Sequence, residues 1–389
     1  MVCFTNYSQF FYSKLSDDYV FSPLSVDELR SVLLLARKSG FRVRVSGNFH
    51  SLNCSNIPSS DEILVSLRHF RCIHELASDV VRVDCGCDLS SLNSFLSSFN
   101  YELPVVNGGT ASPTVGGFIC AGGIGKTTDQ EVLGRSSLYG GFWENVREVV
   151  LMDGFGDLHV FTPAHPYFRY LFGSRGQFGI FLSCTLKIIV SAPELPFKEF
   201  VGPLCLQPNN IAASSFQFSD NRLLWFTGFC DDSQIDQAWQ ISHSWLKKYQ
   251  SIIQPVADAR WAGPLHDDSL PIGFEYFIKR LTFVPPLIFP RDVSFRAFGI
   301  VFLVPTGDPD LNVLLRDCFS AITYSLLENS MHVYSSVENI PCLSSCFECH
   351  SASLFEQLKT IRAELHCSDF LNVDWIDSDG FQRRLVSLV

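Results

Sequence analysis

The sequence predicts an α+β fold in two domains, and three observations lead to this prediction. Helical and strand patterns alternate through the first half of the chain. A Pro-rich segment at 192–208 then separates this half from a second set of helices and strands. The length of 389 residues also exceeds the roughly 250–300 residues at which a single core stops growing. We expect domains over 1–194 and 195–330, with 331–389 returning to the first domain.

The first helix is predicted over 25–38. Ser25 and Glu28 have the spacing of a capping box, and apolar residues recur behind them at helical intervals. Gly40 ends this helix, and residues 41–45 alternate as in a half-buried strand. The remaining elements predicted for the first domain are a helix over 89–99 and strands over 62–67, 80–84, 146–152, 158–162 and 181–190.

The second domain begins with a helix predicted over 235–249, whose apolar residues share one face. A strand–helix–strand unit follows, with strands over 297–304 and 331–335 and a helix over 311–327. Residues 273–280 alternate as in a strand, although their Tyr, Lys and Arg side chains could instead line a substrate pocket. Of these two possibilities, we favour the strand.

Charge and hydropathy limit the partners of the chain. The formal net charge of −11 argues against nucleic acid or an anionic membrane as the main partner. No apolar run approaches the roughly 20 residues that cross a bilayer, and the N-terminal segment lacks the pattern of a secretory signal. The 14 Cys are scattered through apolar stretches, as buried reduced thiols are. We expect a cytoplasmic protein that acts on a small molecule, with its oligomeric state left open.

The segment 106–126 is unusually rich in glycine. Because glycine has no side chain, the backbone can turn tightly here and bring its N–H groups close to a large ligand. Successive amides of this kind form a concavity that suits a diphosphate. The segment therefore indicates a nucleotide cofactor, and its glycines are Gly108, Gly109, Gly116, Gly117, Gly122, Gly123 and Gly125.

Two further segments accompany the glycine-rich one. Residues 47–51, with His50 near their end, come directly after a predicted strand, and 173–180 precede another strand. A histidine in a tight loop could bond to a flavin methyl group through a ring nitrogen. Taken singly, the first segment is more typical of a surface loop and the second of a plain glycine turn.

In this order and spacing, the three segments resemble the flavin domain of the vanillyl-alcohol oxidase superfamily, and the resemblance covers residues 20–190. It implies a two-part FAD-binding domain followed by an α+β substrate domain. FAD would be held by His50, whether covalently or not. The residues that the resemblance assigns to FAD are Gly47, Asn48, Phe49, His50, Ser51, Leu52, Gly108, Gly109, Thr110, Thr114, Val115, Gly116, Gly117, Gly122, Gly123, Ile124, Gly125 and Ile180.

Within the superfamily, residues 118–126 and the tail 378–385 are similar to the decaprenylphosphoryl-ribose oxidase group. Several positions depart from that group. Ile124 and Thr128 stand where it has histidines, and no lysine occurs near Val337 where its active-site lysine is expected. The ribosyl specificity of that group is therefore not carried over.

The activity that the resemblance implies is transfer of a hydride from a substrate C–H to flavin N5. A sugar or another small alcohol is the expected substrate class. Tyr334 and Lys126 are the candidate catalytic residues, with Tyr334 favoured as the base. The choice between oxidase and dehydrogenase stays open, and the missing His and Lys keep a catalytically impaired flavin-binding module as an alternative.

A phosphate-loop ATPase is a second alternative for the glycine segment. Residues 122–127 are similar to the deviant phosphate loop of partition-type ATPases, and 149–153 to a Walker B strand. Ala121, however, occupies the position of the extra Lys in that loop. This alternative is less favoured than flavin binding.

The segment 342–350 contains three Cys and one His at close spacing. The spacing of Cys342, Cys346 and Cys349 matches the cluster loop of radical S-adenosylmethionine enzymes, but too few residues follow for their barrel. Together with His350 the three could form a Zn²⁺ site. Free thiols in a connector are favoured, so we predict no metal.

Overall fold

The computed structural model describes most of the first half of the chain and parts of the second. The described residues are 1–5, 12–51, 55–106, 112–123, 125–127, 139–191, 221–230, 273–277, 285–286, 296–305, 332–335 and 352–372, with single residues of helices between 234 and 248 and between 317 and 329.

A three-stranded parallel sheet forms the start of the first domain. Strands β1 (Val2–Thr5) and β2 (Tyr12–Leu15) pair as a separate hairpin. The parallel sheet has the order β3-β5-β4, where β3 is Val20–Phe21, β4 is Arg42–Ser46 and β5 is Glu62–Ser66. Because the strands are parallel, the loop after β4 leaves the sheet at its C-terminal edge.

Helix α1 (Val26–Lys38) connects β3 with β4. Ser25 caps it by accepting a hydrogen bond from the Glu28 amide at 3.2 Å, as predicted. The Glu28 carboxylate accepts from the Leu24 amide rather than from that of Ser25. The apolar face of the helix, made of Leu29, Val32, Leu33 and Ala36, is buried.

A five-stranded antiparallel sheet forms the second part of the domain. Its order is β12-β11-β13-β7-β6. In chain order the elements are β6 (Ile73–Leu76), β7 (Val80–Asp84), α2 (Leu89–Ser97), β8 (Tyr101–Glu102), β9 (Val105–Val106), α3 (Val115–Ala121), β10 (Lys126–Thr127), β11 (Val146–Met152), β12 (Leu158–Phe161), β13 (Ile180–Lys187) and β14 (Ile189–Val190). Short pairs β10–β9 and β14–β8 complete it. The mixture of helices and sheets confirms the α+β class.

A second set of strands forms a four-stranded antiparallel sheet of order β16-β17-β15-β18. These strands are β15 (Asn221–Cys230), β16 (Gly273–Phe277), β17 (Arg296–Pro305) and β18 (His332–Ser335). The predicted strand–helix–strand unit is present, but β15 lies between its two strands. Sequence patterns missed β15, and β16 is a strand as favoured.

The two helices predicted in this half lie side by side. The described residues between 237 and 248 and between 317 and 328 are helical. Trp245 Nε1 donates to Ser325 Oγ at 2.8 Å, and Gln237 Nε2 donates to Asn329 Oδ1 at 2.8 Å. The division of the chain into domains at 194 and 330 stays a prediction, although β18 pairs with β15 beyond residue 330.

Residues 352–372 pack against elements of the first half of the chain. Helix α4 (Ala352–Glu364) contributes to the same buried apolar cluster as α1, α2, α3 and both sheets. Beyond it the chain runs parallel to β4, where the Val43 amide donates to the Phe370 carbonyl at 2.8 Å. The tail segment 378–385 lies outside the described residues. Within the described residues, no helix combines the length and apolar character that crossing a membrane requires.

Candidate cofactor site

The structure brings the loop after β4 against the start of α3. Gly47 lies so close to Thr114 that a Cβ at position 47 would overlap the Thr114 hydroxyl and approach its methyl carbon to 2.9 Å. Any side chain at Gly47 would therefore push the two segments apart. This contact brings the first and second predicted cofactor segments together, as expected for two parts of a single cofactor site.

A network of hydrogen bonds links the same loop to the start of α2. Asn48 Nδ2 donates to the Ser112 carbonyl at 3.0 Å. The Ser112 hydroxyl donates to Asp88 Oδ1 at 2.8 Å and accepts from the Ser90 amide at 3.1 Å. Asp88 also caps α2 by accepting from the Ser91 amide at 2.8 Å. Asp88 therefore stands at the junction of the two cofactor segments.

His50 is half-buried at the end of this loop, near Asp88. Burial lowers its pKa, and the negative charge of Asp88 opposes this effect without reversing it. Burial by itself raises the pKa of the Asp88 carboxyl, but hydrogen bonds from Ser91 and Ser112 outweigh burial and hold that pKa below its ordinary value. At neutral pH the imidazole of His50 is therefore neutral, with a nucleophilic nitrogen, and the nearby Asp88 is a carboxylate.

Phe49 and Ser51 complete the described part of the loop. Phe49 has φ +57°, a left-handed conformation that is uncommon for an aromatic residue, and its ring stacks on Phe4 at 5.4 Å. The Ser51 and Ser55 hydroxyls lie 3.0 Å apart. The N-terminal hairpin therefore covers one side of the loop through Phe4.

The first turn of α3 uses its amides within the protein. The Gly117 amide donates to the Thr114 hydroxyl at 3.1 Å, and the amides of Val115 and Gly116 donate to the carbonyls of Cys87 and Cys85, each at 2.8 Å. A Cβ at Gly116 would lie 2.8 Å from that of Cys85. The glycines here allow close packing of α3 on the residues that follow β7, and the paired amides differ from the free amides that the sequence indicated. Their contact with FAD stays a prediction.

The second half of the glycine segment leaves α3 and enters β10. Gly122 has φ +67° and ends the helix in the left-handed conformation. Gly123 packs against the Phe118 ring, and Gly125, with φ +68°, packs against Val105. The segment therefore follows a helix and precedes a strand.

This order is wrong for a phosphate-loop ATPase. A phosphate loop lies between a strand and the start of a helix, whereas 122–125 come after the end of α3. The proposed Walker B residue, Asp153, instead closes the turn between β11 and β12, where its Oδ1 accepts from the amides of Phe155 at 2.8 Å and Asp157 at 2.9 Å. The structure thus removes the ATPase alternative.

The third segment packs against the other end of α3. The Arg175 amide donates to the Cys120 carbonyl at 2.8 Å, and the Gly173 amide to that of Ile119 at 3.3 Å. Ile180, which is buried, opens β13 opposite Met152. All three predicted segments therefore meet around α3.

The structure gives the backbone positions of the two candidate catalytic residues. Lys126 lies on β10 opposite Val106, and Tyr334 lies on β18 opposite Thr227. Their catalytic roles stay predictions. The predicted cofactor residues Leu52, Gly108, Gly109, Thr110 and Ile124 lie outside the described residues, as do Thr128 and the cluster Cys342, Cys346, Cys349 and His350. In the described part of the chain, no three His, Cys, Asp or Glu side chains are grouped to hold a metal.

Two interactions that support the site were missed by sequence reasoning. Arg44 and Glu62 form a fully buried ion pair of 2.7 Å, and Arg44 Nη1 also donates to the Ser55 carbonyl at 3.0 Å. Asn372 connects the backbones of Val45 and Gly176. The local sequence contained no signal for either interaction, since the alternation over 41–45 placed Arg44 on the polar face of its strand.

The residues around the loop suit a large polar cofactor. Ser46 and Asn56 flank the loop and are buried, and within the described residues the Ser46 hydroxyl and both polar atoms of Asn56 have no hydrogen-bond partner. FAD carries hydroxyl groups that could pair with them. The donor set, the glycine contacts and the neutral His50 together fit FAD.

Comparison with known proteins agrees with this fit. The model of a family described as an FAD binding domain matches residues 18–162. D-arabinono-1,4-lactone oxidase of Eremothecium gossypii is 27% identical over 177 residues, which is 43% of this chain and 31% of that protein. FAD-linked oxidoreductase janO of Penicillium janthinellum is 31% identical over 107 residues, which is 27% of this chain and 23% of that protein. The chain thus spans less than a third of the length of either relative. The matches confirm FAD as the predicted cofactor.

Proposed function

Residues 18–162 are an FAD-binding domain of the vanillyl-alcohol oxidase superfamily, and from this premise we propose that the chain is an FAD-dependent oxidoreductase. It takes a hydride from a C–H bond next to a hydroxyl group of a sugar or another small alcohol. When bound, FAD supplies the two-electron acceptor for this chemistry. One relative is a D-arabinono-1,4-lactone oxidase, and its sugar lactone supports the sugar class.

The observation that carries the proposal is the convergence of the three segments around α3. Gly47 contacts Thr114, Asn48 is bonded to Ser112, and Arg175 is bonded to Cys120. Three separate stretches of sequence with a shared cofactor pattern thus lie within one cluster. A structural role alone would not require all three to meet.

Individual residues take distinct roles in the proposal. His50 holds the flavin, and its neutral imidazole is the form that attachment to a flavin methyl group through a ring nitrogen requires. The negative charge of Asp88 keeps the imidazole more basic than burial alone would leave it. Tyr334 takes the hydroxyl proton of the substrate, and Lys126 holds the substrate oxygen.

The same proposal includes a two-part FAD-binding fold, a cap domain over 195–330 and a cytoplasmic location. The free Cys among the described residues support that location.

The visible spectrum of the purified chain and its bleaching by substrate test the proposal. We expect the absorbance band in the blue that is typical of oxidised flavin, and we expect anaerobic mixing with a sugar, a sugar lactone or a polyol to remove it. Tyr334→Phe is expected to slow this reduction by a factor of about 10²–10⁴, with flavin content unchanged. A folded chain that is colourless and takes up no added FAD would overturn the proposal.

A flavin-binding module without catalysis is the second candidate. It is favoured by Ile124, Thr128 and the missing lysine near Val337, positions at which a similar group of oxidases has its substrate-side residues. This candidate would be selected over the enzyme if the bound flavin is reduced by light in the presence of an electron donor, but by no alcohol, lactone or amine.

A further inference from the structure

We propose that the side chain of Asn56 hydrogen-bonds the bound FAD through a group that carries both a donor and an acceptor, either a hydroxyl or a ring edge. The proposal rests on the proposed cofactor loop at 47–52. Asn56 belongs to none of the three segments that the sequence indicated.

Asn56 is only 7% exposed. Neither its Nδ2 nor its Oδ1 has a hydrogen-bond partner within the part of the chain that the structure describes. A buried amide without partners destabilises a folded protein, so native structures retain few of them. Such a residue is expected where a ligand supplies the missing partners.

Asn56 lies in the connection between β4 and β5, which also contains the proposed loop. The carbonyl of its neighbour Ser55 accepts a hydrogen bond from Arg44 Nη1 at 3.0 Å. The Ser55 hydroxyl lies 3.0 Å from that of Ser51. Ser51 follows His50. At the other end of the loop, the Ser46 hydroxyl is also buried and without a described partner. Two such side chains therefore flank the nine residues 47–55, which include the proposed cofactor loop.

The chemistry of the amide selects among the parts of FAD. Nδ2 is a donor and Oδ1 is an acceptor, and both need partners. A diphosphate presents only acceptor oxygens, so it would satisfy Nδ2 and leave Oδ1 unpaired. Hydroxyls of the ribityl chain or ribose have both functions, and so do the donor–acceptor edges of the isoalloxazine and adenine rings. These groups, rather than the diphosphate, are the partners we assign to Asn56.

Two variants, Asn56→Leu and Asn56→Ala, test the assignment in two measurements on the full chain. These are the melting temperature of the FAD-free protein and the dissociation constant for FAD, followed by quenching of flavin fluorescence. If acid precipitation shows the flavin to be covalent, all chains carry His50→Ala so that FAD exchanges. Asn56→Leu is expected to raise the melting temperature by about 2–4 °C, because an apolar side chain of similar size removes the unpaired groups. The same change is expected to raise the dissociation constant about tenfold.

Asn145 provides a matched control for the effect on stability. It is 5% exposed, and its Nδ2 donates to the carbonyls of Tyr139 at 2.8 Å and Gly141 at 3.0 Å. Because these bonds lie within the protein, Asn145→Leu is expected to lower the melting temperature of the FAD-free protein. The opposite signs of the two Leu variants separate an amide that awaits a ligand from one with a structural role.

Titration with riboflavin and with ADP identifies the part of FAD that Asn56 contacts. Weaker binding of riboflavin alone indicates the ribityl chain or isoalloxazine ring, and weaker binding of ADP alone indicates the ribose or adenine. A dissociation constant for FAD that stays within about twofold of the unsubstituted chain in both Asn56 variants overturns the assignment. Absence of FAD binding in the unsubstituted chain would instead overturn the proposed function, so the two failures are distinct.

Discussion

Asn372 accepts a hydrogen bond from the Val45 amide through Oδ1 at 2.8 Å, although 327 residues separate the two. Its Nδ2 donates to the Gly176 carbonyl at 3.0 Å. One buried side chain thus links the strand before the His50 loop to the third cofactor segment. Asn372 has φ +42°, a left-handed conformation that Asn adopts more readily than most residues.

Asn372→Gly is expected to lower the free energy of unfolding by about 1–3 kcal/mol, because Gly keeps the backbone conformation but loses both side-chain hydrogen bonds. Asn372→Ala is expected to cost about 1 kcal/mol more, since its Cβ is strained at positive φ. Urea unfolding followed by circular dichroism measures both. Equal stability of the Gly variant and the unsubstituted chain would contradict a linking role for this side chain.

The strands and helices of the first domain were largely predictable. The helix at 25–38 and the strands at 80–84 and 146–152 match α1, β7 and β11 within one residue, because each has a strong apolar period or clear end signals. The short strands β8, β9 and β10 were missed. With two residues each, they are too short to carry any period.

Helix α3 was missed for a different reason. Gly116 and Gly117 lie in its first turn, and glycine disfavours helices in isolation. Tertiary contacts override this preference, because Thr114 caps the helix and only a residue without a side chain fits against Cys85. The sequence thus located the cofactor segment but did not predict that part of it is helical.

The burial of Arg44 was also outside the reach of sequence patterns. Residues 41–45 were predicted to alternate, but both Val43 and Arg44 are fully buried. The chain after α4 covers one side of β4, and Glu62 provides the countercharge on the next strand. Both partners are distant in sequence, so a local pattern contains no trace of them.

Breaking the Arg44–Glu62 pair is expected to destabilise the chain strongly. Glu62→Leu leaves a buried guanidinium without its carboxylate, which is expected to cost about 3–5 kcal/mol in the free energy of unfolding. The double variant Arg44→Met with Glu62→Leu is expected to cost less than Glu62→Leu alone, because no charge then remains buried. Urea denaturation of the single and double variants measures the coupling.

An exposed ion pair serves as the control for this cycle. Lys359 and Glu356, at 3.3 Å on α4, are 46% and 73% exposed. Glu356→Gln is expected to change the free energy of unfolding by less than about 1 kcal/mol. A double variant of the buried pair that loses the sum of its two single effects would show that the charges act independently.

Buried thiols of the first domain are expected to resist alkylation. Burial raises the pKa of Cys120 to about 12 and that of Cys87 to about 11, so few of these thiols are ionised at neutral pH. Cys3 and Cys72 are exposed. Brief iodoacetamide treatment of the folded chain, with peptide mapping by mass spectrometry, should label Cys72 well before Cys120. Comparable labelling of both in folded protein, and not only after unfolding, would argue against the packing of α3 described above.

His50 is expected to titrate below the ordinary histidine pKa of about 6.5, because its burial favours the neutral form. The stability that depends on this neutral form is complete above pH 6.5 and is lost as the pH falls through the lowered pKa, since only the unfolded chain takes up the proton readily. The midpoint is measurable from the imidazole carbon signal in NMR spectra of FAD-free protein, assigned by its absence in His50→Gln.

Asp88→Asn tests the electrostatic contribution to that midpoint. Asn can still cap α2 and accept from Ser112, but it removes the negative charge that raises the pKa of His50. The midpoint is therefore expected to move further down, and the pH range over which the imidazole is neutral should widen. An upward shift, or none, would mean that the Asp88 charge is screened from His50 and that burial alone keeps the imidazole neutral.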